Sequence, residues 1–156
     1  MSEAEPERRA MLQAVFRHLL AYVLAVGVAL IAASAASTHF VVAGLEAIGA
    51  EIGVSERIDM VLNDLKGLGP TYGVVIAVGF AIALPVGWLI GQILKPIRFL
   101  RFPLAGAAAI GAALYAMLQL YDVIPIIGAQ STEGFAAQLA AGALGGLVFA
   151  VLRGAK

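Results

Sequence analysis

The stretch KPIRFLRFP, residues 95–103, sets Lys95, Arg98 and Arg101 three residues apart. Cations at that spacing share one side of a helical turn and could hold the head group of an anionic lipid, although basic residues at a membrane face are also what topology alone requires. The other groups with chemical capacity are neutral: Tyr22, Ser34, Gln92, Tyr115, Gln119 and Gln138. Each can hydrogen-bond between membrane helices, for about 0.6–2 kcal/mol, or line a path for a neutral solute. Gln119 and Gln138 fall in corresponding halves of adjacent apolar runs and are expected to face each other or a pore.

Harder chemistry finds no residues to perform it. The chain has no cysteine, which removes thiolate nucleophiles, disulfides and cysteine metal sites together. No serine stands in a nucleophile-elbow pattern, and the glycines are not followed by the Gly-Lys-Ser/Thr of a phosphate-cradling loop. His18 and His39 flank an apolar run at opposite ends, so they cannot share a metal, and neither has a helix-spaced carboxylate beside it. No charged residue interrupts the long apolar runs, where proton-coupled transport usually places one. The expectation is a protein with no catalytic residue, no metal and no cofactor, and not an enzyme. A formal net charge of zero with scattered basic residues argues against nucleic acid as a partner.

Composition explains the missing chemistry. Of 156 residues, 62% are hydrophobic and 13% charged, with a mean hydropathy of +0.96, whereas soluble domains carry roughly 25% charge. Four runs reach the length of about 20 helical residues that a bilayer requires: 19–38, 71–94, 104–121 and 135–152. They are continuously apolar, which excludes the alternating pattern of barrel strands. The first could be read as a signal peptide, because Ala33-Ser34-Ala35 has the small-residue form of a cleavage site. The acidic Glu3, Glu5 and Glu7 before it and its full spanning length favour a retained span.

These runs divide a single integral membrane domain, 1–156, into a tail 1–18, four spans, loops 39–70, 95–103 and 122–134, and a tail 153–156. Eight of the ten lysines and arginines fall in the two tails and the loop 95–103, leaving only Arg57 and Lys66 elsewhere. By the positive-inside rule both termini are expected in the cytoplasm, the membrane being a bacterial inner membrane. In the long outer loop, Val42, Leu45, Ile48 and Ile52 recur at helical spacing. A second set, Ile58, Val61, Leu62 and Leu65, follows Ser55, a candidate N-cap. One or two short amphipathic helices are expected there.

The spans are rich in small residues four apart: Gly79, Ala83, Gly87 and Gly91 in the second, Ala107 and Gly111 in the third, Gly142, Gly146 and Ala150 in the fourth. Lipid tails are as apolar as leucine, so membrane helices associate by close backbone approach, for which such rows make a flat groove. Pro85 removes a helix hydrogen bond and is expected to bend the second span. The fold class expected is an all-α membrane protein, an antiparallel four-helix bundle with its amphipathic loop helices. The size and four-span plan resemble those of small multidrug transporters, but that family depends on a glutamate within the first span and this first span has none, so no family follows. The function expected is a non-catalytic membrane component, self-assembling or accessory to a larger complex. Alternatives are a homo-oligomeric channel or carrier for a neutral solute and a lipid-binding or lipid-modifying protein. The partners expected are membrane lipid and either copies of itself or a larger membrane complex.

Overall fold

The computed structural model describes residues 4–67, 69–93 and 99–154. Among them are five α-helices and one 3-10 turn, with no strand: α1 Ala4–Ala47, α2 Val54–Gly67, α3 Gly69–Ile93, α4 Arg101–Tyr121, the turn Ile127–Ala129, and α5 Thr132–Arg153. Four of the helices, all but α2, are long and apolar enough to cross a membrane. The continuous helix satisfies every backbone group internally, which is what lipid demands of an uncharged run.

α1 is the main departure from expectation. It has 44 residues, a length of roughly 66 Å, about twice the thickness of a bilayer's hydrocarbon core. The expected first span, 19–38, is only its middle. Residues 39–47, assigned to a loop, continue the helix, since HFVVAGLEA has no proline and its one glycine, Gly44, lies in open space. The helix stops just before Gly49, whose φ of +94° is open to glycine and costly for other residues. Val42 and Leu45 therefore lie on α1, not on a separate loop helix, and Ile48 and Ile52 fall in the connection that follows.

α2 begins at Val54, which corrects Ser55 as its N-cap. Gly53 precedes the helix, and its N–H donates to the Glu56 carboxylate at 3.1 Å, the side-chain half of a capping box. The Arg57 guanidinium pairs with Glu46 at the end of α1, both side chains being partly exposed. α3 runs through Pro85 without a break in its helix. α5 starts on Ser131, whose hydroxyl accepts from the Gly134 N–H at 3.0 Å.

The four long helices pack as a ring in which α1 meets α5, α5 meets α4, α4 meets α3, and α3 returns to α1. In each pairing residue numbers rise along one helix as they fall along the other: Gly79 meets Ala109 and Gly91 meets Arg101; Gly111 meets Leu139 and Gly146 meets Phe102; Ala33 bonds Gln138 and His18 bonds Arg153. The interior is filled by Ile76, Phe80, Ile110 and Leu114, all essentially inaccessible. One end of the ring carries His18 and Arg153 and is called here the termini end; the other, the loop end, carries α2 and the connection 122–131. The return from α3 to α1 is close at the loop end, where Leu30 lies against Gly73, and parts toward the termini end beyond Tyr22 and Ala77.

Candidate functional site

Three places concentrate chemistry or close packing. The first is the seam of α4 with α5. Gly106 and Gly142 face each other so closely that a β-carbon on either would overlap the other's carbonyl oxygen, and one on Gly146 would overlap that of Phe102. Gly79, Gly87 and Gly91 play the same part between α3 and α4, where a β-carbon on Gly87 would lie 2.8 Å from that of Ala105. Ala83 is half-buried beside them and Ala150 is buried. The rows read from the sequence thus serve contacts within one chain. Gly111 takes Leu139 against its α-carbon, but Ala107 is half-buried and the close approach passes to its neighbour Gly106.

Sequence reading overlooked a matching row on α1: Ala21, Ala25, Ala29, Ala33 and Ser37, each four apart and each buried. A β-carbon on Gly145 of α5 would come within 2.7 Å of both the Ala25 carbonyl oxygen and the Ala29 methyl. The four-residue spacing was available as a signal.

The second place is a polar network toward the loop end. Gln138 on α5 is fully buried; its amide donates to the Ala33 carbonyl at 2.9 Å and its oxygen accepts from the Tyr72 hydroxyl at 3.1 Å. Three helices are thereby joined by one side chain. Close by, the Thr38 hydroxyl donates to Asp64 of α2 at 3.1 Å, and Ser34 and Ser37 are buried. Ser34, Ser37, Asp64 and Tyr72 line a cavity of about 10 Å³, close to the least that admits a single water. Burying neutral polar groups without partners is costly, so these bonds are what allow Gln138 and Tyr72 inside the bundle. Replacing Thr38 with valine is expected to leave the long helices in place and to speed amide hydrogen exchange across α2 about tenfold, the effect of one lost hydrogen bond to a carboxylate worth about 1.5 kcal/mol.

The expected meeting of Gln119 with Gln138 does not occur: Gln119, Gln92 and Tyr115 are exposed on the outside of the helices. The sequence contained no direct mark of Tyr72 as the partner, because hydropathy does not report how a helix is rotated.

The third place is the termini end. His18 Nδ1–H donates to the Ala14 carbonyl at 2.6 Å, which leaves Nε2 to accept from the Arg153 Nε–H at 3.1 Å. The Arg153 guanidinium lies 5.4 Å from the centre of the Phe102 ring, and that of Arg101 lies 4.7 Å from the same ring. Phe102 packs edge-on against Phe149 at 5.2 Å. Of the basic stripe read from the sequence, Arg101 is the first residue of α4, while Lys95 and Arg98 lie outside the described residues. No group of three or more histidine, aspartate or glutamate side chains suited to a metal gathers among the described residues.

Comparison with known proteins adds no relative: no family model, no curated protein and no solved structure matches the chain.

Proposed function

We propose that this chain acts in a membrane without catalytic chemistry, as a self-assembling or accessory component. It sits in a bacterial inner membrane as an antiparallel four-helix bundle, with both termini in the cytoplasm and α2 as an amphipathic helix on the opposite face. The observation that carries the reading is a groove of about 560 Å³ on the outer side of α3 and α4. Val74, Val78, Ile82 and Val86 stand exposed along one wall, and Ala108 and Ala112 form the other. Small residues beside a β-branched ridge let another helix approach closely, and in lipid such approach is the main force for association.

The channel reading has less in its favour, since Phe80, Ile110 and Leu114 fill the interior and Gln138 has its hydrogen bonds inside it. Gly142 and Gly146 are poor tests of assembly because their partners belong to the same chain. The informative variant is Ala108→Leu combined with Ala112→Leu. Native mass in mild detergent is expected to fall from a multimer or complex to a single chain, with helix content unchanged. A natural protein that already runs as a single chain with no companion would end this reading.

A further inference from the structure

We propose that the parting of α1 from α3 at the termini end is a binding cleft for one anionic glycerophospholipid, its phosphate on Arg153 and an acyl chain between the helices. The cleft measures about 770 Å³, within the roughly 300–1,000 Å³ of small-ligand sites. One wall is α1, with Met11, Val15 and Leu19; the other is α3, with Leu84 and Trp88; Phe149 of α5 closes the back. The Tyr22 hydroxyl donates to the Ala77 carbonyl across the top, so that the cleft ends there and its sides offer hydrocarbon.

The ionisable groups of the lining other than Tyr22, His18 and Arg153, come together one turn from Tyr22 along α1, with the apolar walls continuing past them to Met11 and Trp88. Arg153 is held from two sides, by its bond to His18 and by the Phe102 ring, and His18 is fixed in turn by Ala14. Only Nε of Arg153 is engaged, so both of its terminal nitrogens are without a hydrogen bond among the described residues. That is the paired set of donors that grips a phosphate.

Charge completes the argument. Arg101 and Arg153 share one aromatic ring, yet the ion pairs among the described residues, Arg9 with Glu5 and Arg57 with Glu46, lie elsewhere. Arg101 Nε is moreover buried without a hydrogen-bond partner. Two guanidiniums near each other at a membrane interface, with no carboxylate of the described residues paired to either, are stabilised by a bound anion. A free anion would use the cations and leave the hydrocarbon cleft empty; an anionic lipid uses both.

The proposal rests on membrane insertion and is independent of self-association. Trp88, the only tryptophan in the chain, lines the cleft and reports on it. The full-length protein is reconstituted into vesicles containing phosphatidylglycerol or phosphatidylcholine brominated on the acyl chain, at equal mole fraction. Brominated phosphatidylglycerol is expected to quench Trp88 with an apparent affinity about tenfold higher than phosphatidylcholine, because the choline cation of the latter offsets its phosphate beside the two guanidiniums. Arg153→Gln should abolish that preference while leaving the quenching by phosphatidylcholine unchanged, which also shows the variant folded and inserted. Arg57→Gln, which removes a cation at the loop end, away from the cleft, should keep it. Equal quenching by the two lipids in the natural protein, or a preference that survives Arg153→Gln, would overturn the proposal. Loss of the preference on adding inorganic phosphate would reduce the site to an anion site and overturn the lipid occupant. Absence of quenching by either lipid would overturn the membrane reading itself.

Discussion

Replacing Gly106 with alanine is expected to destabilise the protein by about 3 kcal/mol or more, although it adds a single methyl group. The new β-carbon would overlap the Gly142 carbonyl oxygen and lie 2.9 Å from its carbon, with the Gly146 backbone nitrogen at 3.1 Å. All three are backbone atoms of α5, and none can swing aside as a side chain would. Either α4 and α5 separate along their whole seam, losing the contacts of Phe102, Ile110 and Phe149, or the helices bend. Gly27→Ala is the matched control: Gly27 is also in a membrane helix, but nothing lies within 4 Å of where its β-carbon would go. It is expected to change stability by no more than about 1 kcal/mol, and in the favourable direction if propensity dominates. Thermal unfolding of both variants in one detergent separates the cases. Equal melting temperatures would mean that α4 and α5 do not touch at Gly106.

The second large effect is expected at Gln138. Leucine nearly matches glutamine in volume, so Gln138→Leu tests the hydrogen bonds with little change in packing. It leaves the Tyr72 hydroxyl, itself buried, without its partner and removes the side-chain bond to the Ala33 carbonyl. An expected loss of about 2 kcal/mol follows from one stranded hydroxyl and two lost bonds. Tyr72→Phe alone should cost about 1 kcal/mol. Together the two should cost less than their sum by about 1 kcal/mol, because phenylalanine leaves nothing stranded when Gln138 is gone. Strict additivity in the double-mutant cycle would show that the two side chains do not interact.

The four spans were legible because an uncharged run of 20 residues has few other physical outcomes. Their ends were less so: hydropathy reports the surrounding medium, whereas helix continuity through Ala4–Arg17 and His39–Ala47 depends on the absence of a breaker. The small-residue rows of the second and fourth spans include Gly87, Gly142 and Gly146, which lie against neighbouring helices. In AGAAAIGAA, residues 105–113, every face is small, so spacing could not choose Gly106 over Ala107 as the point of contact. The alanine row of α1 was hidden for a related reason, lying among valines and leucines that share its polarity and differ only in bulk. Least legible was the termini-end cleft, which draws on three helices far apart in sequence. His18 and Arg153 carried no mark of each other, being 135 positions apart.

The length of α1 makes it a lever. Its fulcrum is the seam where Ala25 and Ala29 bear on Gly145, with one arm reaching Met11 at the wall of the cleft and the other reaching Glu46, which is tied to α2 through Arg57. For a rigid rod of roughly 66 Å, a change in tilt of about 10° carries one end some 11 Å relative to the other. A tilt of α1 as a rigid body that widened or narrowed its gap from α3 at the termini end would therefore displace the Glu46 end, and with it the point at which α2 is tied.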